Sequence, residues 1–373
     1  MKKPTRLRLL LSGGGTGGHL SPLTALIAHS KAKNLPIDLF FIGSKKGPEA
    51  TIIPTLNTPF YTINPPKIRR YFSFQNFIDI LKFPPVYLKT LFLVKKIKPD
   101  VILTSGGFVS LPAVIASIFL RIPLVIHEQT LIPGIVNKFA AKYAHSIAIS
   151  FEESRKYFPP EKCHLTGNPI RPELLDTSIP LPKQFQFTNN LPVLYVTGSY
   201  QGAHFINRLI GNHLTELLSH MNIIHQCGIN PSTGDGDWLE ERRKTLPPEL
   251  QQHYVLTKTV TPRELSAIYR SATLVLCRAG AGTVSELAAV GKAAILIPYP
   301  YSANGEQEKL AEMLEKINAA ETIKQKENNS KLQIEKICSL VSNNDQLENL
   351  MRKIKTYAKP NANQLLAKLI SKN

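Results

Sequence analysis

Residues 12–22 read Ser-Gly-Gly-Gly-Thr-Gly-Gly-His-Leu-Ser-Pro and follow directly on the apolar run Leu7–Leu11. Five glycines and one threonine fill the six positions between a predicted strand and a predicted helix. Because glycine has no Cβ, backbone amides in such a loop can approach a bulky anion. The helix that follows directs its free N–H groups toward the same anion, whereas a plain turn needs only one or two glycines. The stretch therefore predicts a phosphate-binding loop with His19, a titratable group, at its rim.

Short apolar runs alternate with helical patterns on both sides of a proline-rich segment, residues 172–192. The runs are continuous rather than alternating, which is typical of strands in a buried parallel sheet. In the first half the predicted strands are Leu7–Leu11, Leu39–Ile42, Val101–Thr104, Leu124–His127 and Ser146–Ile149, with helices at Ser21–Lys33 and Leu111–Arg121. In the second half they are Val193–Val196, Asn222–His225, Tyr254–Leu256, Thr273–Leu276 and Ala294–Ile297, with helices at about 203–220, 263–271, 283–290 and 305–318.

Two such halves predict an α/β protein with two doubly wound, Rossmann-like domains and a ligand cleft between them. We expect an N-terminal domain over residues 1–175 and a linker over 176–191. A C-terminal domain is expected over 192–350. The tail, residues 351–373, is expected to be helical and able to return to the N-terminal domain.

The net charge of +18 is unevenly distributed. The first 176 residues contain 23 Lys and Arg against 10 Asp and Glu, and the remainder 22 against 17. This bias favours an anionic partner, with solubility alone as the alternative. The four cysteines form no CxxC pair and no apolar run is long enough to span a bilayer, which favours a soluble or peripheral protein of a reducing cytoplasm.

A basic and aromatic stretch over residues 67–98 contains eight Lys and Arg and one acid, Asp79. Such a composition suits the surface of an anionic bilayer and also single-stranded nucleic acid. The aromatic residues of Leu91–Val94 are instead expected in a helix core. The candidate residues for contact with a membrane, or with a substrate held at its surface, are Lys67, Arg69, Arg70, Phe72, Phe74, Phe77 and Phe108.

Two further strand–glycine–helix elements lie in the second half, at residues 196–203 and 277–286. In the latter, small residues and hydroxyls at a helix start favour a phosphate, and Glu286 can accept hydrogen bonds from a ribose or simply compensate the helix dipole. In the first half, Gly13, Gly15 and Gly18 also fit the dinucleotide pattern GxGxxG. However, Asp38 opens its predicted strand, so it would not reach a ribose at the carboxyl end.

Three more polar segments follow predicted strands of the first half, at residues 105–110, 127–134 and 167–171. Open α/β sheets bind ligands at the carboxyl ends of their strands. Glu128 is therefore a candidate acid, base or positioning group, and Arg171 a candidate phosphate or base contact. We interpret His127 as a half-buried histidine whose hydrogen bonds are satisfied within the protein.

Taken together and in order, these motifs resemble the MurG family of bacterial UDP-N-acetylglucosamine–undecaprenyl-diphospho-muramoylpentapeptide N-acetylglucosaminyltransferases. The matching segments are GGGTGGHLSP (13–22), SGGFVSLP (105–112), HEQ…PG…NK (127–138), GNPIR (167–171), GSYQGA (198–203), CRAGAGTVSELAAVG (277–291) and IPYPY…EQEK (297–309). The resemblance implies a glycosyltransferase B architecture without a metal or other cofactor. It also implies inverting transfer of GlcNAc from UDP-GlcNAc to the 4-hydroxyl of MurNAc in lipid I, giving lipid II and UDP, at the cytoplasmic face of the cell membrane. The implied process is peptidoglycan biosynthesis, and with it cell shape and division.

The resemblance also implies that the N-terminal domain faces the acceptor and the membrane and that the C-terminal domain binds the UDP-sugar. It further implies roles for individual residues. His19 would be the general base on the acceptor hydroxyl, Glu128 an acceptor-side or supporting acid, and Glu286 the ribose ligand. The implied contacts of UDP-GlcNAc are Thr16, Gly17, Gly18, Thr130, Arg171, Ser199, Val260, Ala281, Gly282, Thr283, Val284, Ser285, Glu286 and Gln307.

Three positions depart from the family pattern. Thr130 and Leu310 stand where the family commonly has Asn, and Tyr200 lengthens the loop that carries Ser199. Two alternatives share the expected fold: a transferase with a different lipid acceptor, and a UDP-GlcNAc epimerase. A nucleic-acid-binding protein is disfavoured, because a basic stripe does not explain three glycine-rich helix starts.

Overall fold

The computed structural model describes residues 6–64, 83–326 and 329–372, and it divides the chain into two compact units. The first unit comprises residues 1–172 and 359–373, and the second comprises 173–358. Each unit contains one parallel sheet with helices between successive strands, so the predicted fold class is confirmed. The segment 176–191, predicted as a linker, lies in the second unit, where Ile179 and Phe185 are buried.

The sheet of the first unit has seven strands in the order β3-β2-β1-β4-β5-β6-β7, all parallel. The strands are β1 (Leu7–Ser12), β2 (Ile37–Ser44), β3 (Phe60–Ile63), β4 (Val101–Thr104), β5 (Leu124–Glu128), β6 (Ser146–Ile149) and β7 (Cys163–Leu165). The helices are α1 (Gly17–Ala32), α2 (Glu49–Thr55), α3 (Phe83–Ile97), α4 (Leu111–Leu120) and α5 (Ile135–Ala141).

The sheet of the second unit has six strands in the order β10-β9-β8-β11-β12-β13. The strands are β8 (Val193–Thr197), β9 (Asn222–Gln226), β10 (Tyr254–Thr257), β11 (Leu274–Cys277), β12 (Ala294–Leu296) and β13 (Glu321–Thr322). The helices are α6 (His204–Asn212), α7 (Leu214–Leu218), α8 (Asp235–Lys244), α9 (Pro248–Gln251), α10 (Pro262–Ser271), α11 (Ala281–Val290), α12 (Glu306–Lys316), α13 (Ser330–Val341) and α14 (Asn344–Ile354). Short 3-10 helices lie at Glu152–Tyr157, Pro160–Lys162, Pro172–Leu175, Lys183–Phe185, Pro231–Thr233, Ala303–Gly305 and Lys355–Tyr357.

The last helix, α15 (Ala362–Ile370), completes the core of the first unit. Its Leu366 and Ile370 are fully buried in the cluster that contains Leu23 and Leu26 of α1. Burying each such side chain contributes about 1.5–3 kcal/mol relative to leaving it exposed. The first unit is therefore built from two separate parts of the chain.

One predicted helix was wrong: the single helix over about 203–220 is two helices, α6 and α7. His213 between them has non-helical backbone angles, and it follows Gly211 and Asn212, which are poor helix formers. Gly211 also lies against the ring of Trp238, where a Cβ would come within 2.3 Å of a ring carbon. Close packing onto α8 thus explains the glycine that weakens the helix.

The strand register brings the predicted motifs to one edge of each sheet. In the first unit Ser12 pairs with Thr104, and Thr104 with Ile126, so the loops after β1, β4 and β5 begin side by side. Asp38 lies near the amino end of β2, at the opposite edge, and pairs with Arg6 at 2.6 Å. A dinucleotide role for Asp38 is therefore excluded, as its position in the sequence indicated.

In the second unit Thr197 pairs with both Gln226 and Cys277, so the loops after β8, β9 and β11 are neighbours in the same way. None of the helices in the described parts of the chain is both long enough and apolar enough to cross a membrane.

Candidate functional site

The glycine loop of the first unit is organised by Glu49, a buried residue at the start of α2. Its carboxylate accepts hydrogen bonds from the backbone N–H of Gly15, at 3.1 Å, and of Ser44, at 2.9 Å. Gly14 approaches so closely that a Cβ there would lie 2.5 Å from the carboxylate. Glu49 was missed by sequence reasoning, because a single acid after β2 belongs to no recognisable motif.

A second contact joins the glycine loop to the loop after β4. Ser105 donates its hydroxyl proton to the carbonyl of His19 at 2.5 Å, and a Cβ on Gly13 would lie 2.1 Å from that hydroxyl. A Cβ on Gly107 would lie 2.7 Å from the carbonyl oxygen of Gly14. The two backbones can meet only because these positions carry no side chain.

The imidazole of His19 lies where these loops meet. Its Nδ1 is 2.8 Å from the carbonyl oxygen of Ser105 and 2.6 Å from the side-chain amide of Gln129. Burial lowers the pKa of His19 below its usual value, against the opposing effect of the Ser105 carbonyl. The ring is therefore neutral at pH 7 and able to accept a proton.

Glu128 is buried and receives hydrogen bonds from its own loop. Thr130 donates its hydroxyl at 2.6 Å and its N–H at 3.0 Å to one oxygen, and Asn137 donates to the other at 2.9 Å. Burial raises the pKa of Glu128, and the hydrogen bonds from Thr130 and Asn137 oppose this shift. Thr130, which the sequence predicts as a contact of UDP-GlcNAc, thus holds Glu128 in place.

His127 was expected to be half-buried and is in fact fully buried. Its Nε2 lies 3.3 Å from the carbonyl oxygen of Gly167, and its Nδ1 has no hydrogen-bond partner among the described residues as the Gln129 amide is placed. Burial lowers the pKa of His127 to about 4, opposed by the Gly167 carbonyl and the Gln129 side chain. The expected half-buried position was therefore wrong, and the partner of Nδ1 depends on which way the Gln129 amide points.

The start of α1 is open. Thr16 precedes the helix with extended backbone angles, and its side chain does not cap the helix. In the part of the chain that the structure describes, a Cβ on Gly17 or Gly18 would meet nothing within 4 Å. The N–H groups of the first turn of a helix have no acceptor within the helix. This end can therefore accept an anion, as the motif indicated.

In the second unit, α11 begins in the same way. Gly280 precedes the helix, no side chain caps it, and a Cβ on Gly280 or Gly282 would meet nothing within 4 Å. Ala281 and Val284 are buried beneath it, whereas Thr283 and Ser285 are half-buried. Ser285 donates its hydroxyl proton to the carbonyl of Ala281 at 2.8 Å. The helix start is thus firmly placed and its free amides can bind an anion.

Glu286 lies one turn further on and is held by Tyr269, whose hydroxyl donates to the carboxylate at 3.3 Å. The ring of Tyr269 contacts Tyr195 edge-on at 5.8 Å between centroids. Tyr195 in turn donates to Gln226 at 2.6 Å, as does Thr197 at 3.0 Å. A buried polar chain therefore runs along the carboxyl edge of this sheet.

The loop that carries Ser199 is a tight turn. Ser199 has φ +66°, and its carbonyl accepts the N–H of Gly202 at 3.0 Å. Gly202 has no room for a Cβ, which would lie 2.0 Å from the carbonyl oxygen of Cys227. Tyr200, the additional residue, accepts the N–H of Ile229 with its carbonyl at 3.1 Å and leaves its side chain 57% exposed. The turn thus accommodates Tyr200 without burying it.

A polar cluster behind this turn was not predicted. The buried carboxylate of Asp235 accepts hydrogen bonds from Arg208 and Asn207, each at 3.0 Å, and lies 2.8 Å from Nδ1 of His204. Asn207 also contacts Nε2 of His225 at 3.0 Å, and burial lowers the pKa of His225 to about 3. These partners come from α6, α8 and β9, so no local pattern in the sequence could reveal them.

The remaining predicted residues lie at other loop ends. Gln307, at the start of α12, accepts the N–H of Tyr299 at 3.0 Å. Val260 is half-buried directly before the start of α10, Arg171 is half-buried near the end of the first part of the first unit, and Phe108 is half-buried in the loop after β4. Lys67, Arg69, Arg70, Phe72, Phe74 and Phe77 lie outside the described residues.

Each unit thus gathers a set of predicted residues at the carboxyl edge of its own sheet. The first unit brings His19 beside Ser105 and Gln129, and the second brings the start of α11 beside the turn at Ser199. Among the described residues, no group of three or more His, Cys, Asp and Glu is arranged to hold a metal ion. The arrangement offers helix starts for phosphates and a neutral imidazole for a proton.

The sequence matches the N-terminal domain of glycosyltransferase family 28 over residues 9–149 and the C-terminal domain of that family over residues 193–366. It is 37% identical over 349 residues to the UDP-N-acetylglucosamine–N-acetylmuramyl-(pentapeptide) pyrophosphoryl-undecaprenol N-acetylglucosamine transferase of Clostridium perfringens, covering 93% of this chain and 94% of that protein. The protein of the same name from Borrelia hermsii is 32% identical over 370 residues, or 99% of this chain and 98% of that protein.

Among solved structures, Acinetobacter baumannii MurG superposes with a TM-score of 0.74 at 24% identity, covering 98% of this chain and all of that one. The UDP-GlcNAc 2-epimerase of Neisseria meningitidis superposes with a TM-score of 0.68 at 13% identity over 98% of this chain. At these identities the two structures establish the fold alone. The predicted glycosyltransferase B architecture is thus confirmed, but likeness of fold does not separate transferases from epimerases.

We expect Glu49→Gln to lower the free energy of unfolding by about 1–3 kcal/mol, because the amide presents a donor to a buried backbone N–H. Urea unfolding measures this change, and hydrogen exchange of the Gly15 and Ser44 amides should become faster. The matched control is Glu161→Gln, at an exposed acid of the same unit. Unchanged unfolding and exchange in Glu49→Gln would contradict the assigned role.

Proposed function

This chain belongs to glycosyltransferase family 28, and within it to the MurG N-acetylglucosaminyltransferases, and we propose that it transfers N-acetylglucosamine from UDP-N-acetylglucosamine to the 4-hydroxyl of N-acetylmuramic acid in lipid I. The products are lipid II, with inversion at the transferred C1, and UDP. The observation that carries this function is identity of 32–37% along nearly the whole chain to transferases of that name.

For the donor, we propose that the second unit provides most of the contacts. The open start of α11, from Ala281 to Thr283, suits the diphosphate, because its amides have no acceptor within the helix. Glu286, held by Tyr269, suits the ribose hydroxyls. The other proposed contacts are Thr16, Gly17, Gly18, Thr130, Arg171, Ser199, Val260, Val284, Ser285 and Gln307.

For the acceptor, we propose that His19 acts as general base. The oxygen of the acceptor 4-hydroxyl attacks C1 of the sugar, its proton passes to the imidazole, and the bond from C1 to the β-phosphate oxygen breaks. The pKa of His19 is lowered by burial, so the ring is neutral at neutral pH and one of its two nitrogens keeps a lone pair that can accept a proton. Glu128 is a supporting residue in this proposal: its carboxylate accepts two hydrogen bonds from Thr130 and so holds that loop in place.

The departing UDP gains negative charge as the bond breaks. Helix starts and loop amides that are already in position stabilise such charge without reorganising. We propose that the starts of α1 and α11 serve in this way, because both present free amides in open space.

We further propose that the protein binds the cytoplasmic face of the membrane peripherally. On α3, Leu88 and Phe92 are one turn apart and 61% and 68% exposed, and on α4 Phe119 is 71% exposed. Tyr87 joins the two helices by an edge contact with Phe119 at 5.7 Å. Large exposed apolar side chains beside basic residues such as Lys95 suit an anionic lipid surface. The expectation that Phe92 lies in a helix core was wrong, because its side chain is exposed.

The function predicts that UDP release from UDP-GlcNAc requires a lipid I analogue in detergent. Diacylglycerol serves as the control acceptor. Release with diacylglycerol would indicate a different lipid acceptor, and interconversion of the sugar without any acceptor would indicate an epimerase.

For the general base, we expect His19→Ala to lower kcat by about 10²–10⁴-fold, the usual contribution of such a group. Affinity for UDP-GlcNAc should change little, because the imidazole acts on the acceptor. Steady-state kinetics and calorimetric titration measure the two effects, with His164→Ala, at an exposed histidine of the same unit, as control. Unchanged kcat would reject His19 as the base.

For the membrane surface, we expect the double variant Phe92→Ser with Phe119→Ser to weaken binding to anionic vesicles by about tenfold or more, since two exposed aromatic anchors are lost. Sedimentation with vesicles of anionic phospholipid measures binding. The control is Leu332→Ser, at a residue of the second unit that is 60% exposed. Equal loss in control and double variant would show that this face does not bind the bilayer.

A further inference from the structure

The hydrogen bonds around His19 pose a conflict at one atom. Nδ1 of His19 lies 2.8 Å from the carbonyl oxygen of Ser105, which can only accept a hydrogen bond. The same Nδ1 lies 2.6 Å from Nε2 of Gln129, which can only donate. A nitrogen of a neutral imidazole carries either a proton or a lone pair, so it cannot donate to one neighbour and accept from the other.

Two buried polar atoms near this contact lack hydrogen-bond partners among the described residues, and they indicate how the amide of Gln129 is oriented. Oε1 of Gln129, a residue 2% exposed, is buried with no hydrogen-bond partner among the described residues, and the same holds for Nδ1 of His127. The side chain of Gln129 interacts with His127 as well as with His19. The amide of Gln129 thus lies between two imidazoles, and each amide end faces one of them.

The tautomer of His127 is determined from its other side. Nε2 of His127 lies 3.3 Å from the carbonyl oxygen of Gly167, which can only accept, and 3.5 Å from the hydroxyl of Ser150, which can accept as well as donate. Nε2 therefore carries the proton and donates it. Nδ1 of His127 is then an acceptor and requires a donor. In the amide of Gln129 only Nε2 can donate, so Nε2 must face His127. Oε1 of Gln129 then faces His19.

Exchanging the two amide ends, which have nearly the same shape, satisfies every atom at once. Nδ1–H of His19 is shared by the carbonyl oxygens of Ser105 and Gln129, and Nε2–H of Gln129 bonds to Nδ1 of His127. Both buried atoms that lacked partners thereby acquire them.

We propose that Gln129 is a positioning residue that holds His19 in the tautomer protonated at Nδ1, so that Nε2 keeps its lone pair for the acceptor hydroxyl. The proposal rests on the proposed role of His19 as the general base. In the opposite arrangement Nε2 would carry the proton, and a neutral His19 could not accept one there. Among the described residues Nε2 of His19 has no hydrogen-bond partner, which leaves it available.

Two carboxylates lie on segments that adjoin this group. Glu128 adjoins Gln129 in the chain and is held by Thr130 and Asn137, and Glu49 contacts the glycine loop at Gly15. Neither carboxylate hydrogen bonds to the ring of His19, whose partners among the described residues are Ser105 and Gln129. A change at position 129 therefore acts on His19 without rearranging an ion pair.

The first test measures the tautomers directly. The full-length protein is labelled with ¹⁵N-histidine, and long-range proton–nitrogen correlation spectra identify which ring nitrogen carries the proton. The His19 and His127 signals are assigned by their loss in His19→Gln and His127→Gln. We expect protonation at Nδ1 for His19 and at Nε2 for His127. Protonation of His19 at Nε2 would overturn the proposal.

Two isosteric variants test the consequence for catalysis. Gln129→Met removes both hydrogen bonds, and we expect the Nδ1–H fraction of His19 to fall and kcat to drop by about 10–100-fold, a typical effect of removing such a supporting contact. KM for UDP-GlcNAc should hardly change. Gln129→Glu keeps an acceptor toward Nδ1–H but adds a charge, so the tautomer should persist and the acid limb of the pH–kcat profile should move up by about one unit or more.

The control is Gln333→Met, at a buried glutamine of the second unit, which should change neither spectrum nor pH profile. An unchanged tautomer in Gln129→Met together with an unchanged pH profile in Gln129→Glu would overturn the proposal. The spectra need no substrate, so they decide the tautomer even if lipid I fails to support UDP release, which would reject the proposed function instead.

Discussion

The parallel pairing of β1 with β4, and of β8 with β11, is the constraint on which both candidate sites depend. In each sheet the chain adds its next strands on one side of the first strand of the pair and on the other side of the second strand. The loops that follow the two paired strands therefore diverge at the carboxyl edge of the sheet. Backbones can approach there only without side chains: a Cβ on Gly13 would lie 2.1 Å from Ser105, and one on Gly202 would lie 2.0 Å from Cys227. The glycines thus satisfy a packing requirement, and the capacity to bind anions follows from it.

Buried carboxylates hold these loops in place. Glu49, Glu128 and Asp235 are each almost fully buried, and each is hydrogen bonded to groups on its own unit. A buried charge is tolerated only when its hydrogen bonds are satisfied, so each carboxylate selects one conformation of the loop around it. The exposed helix starts can then meet a ligand in a geometry that exists beforehand, which reduces the ordering that binding requires.

The central strands were predictable because they are continuous apolar runs, and ten strands lie where such runs were found. The strands β3, β7 and β13 were missed, since edge strands are short, and half-buried positions such as those of Phe60–Thr62 carry no clear periodicity. His19 and Glu286 were found through motifs of adjacent residues. Glu49, Gln129 as a partner of His19, and Asp235 were not, because their roles depend on neighbours that are distant in the chain.

By itself the sequence determined the fold class, the glycine loops at helix starts and the family to which the chain belongs. These properties are local or repetitive, so periodicity and motifs carry them. Only the tertiary structure decided which side chains control the candidate groups: Glu49 reaches Gly15 across 34 positions of the chain, and Gln129 reaches His19 across 110. The physical reason is that a hydrogen bond depends on distance and direction in space, and parallel strands bring together residues that the sequence separates.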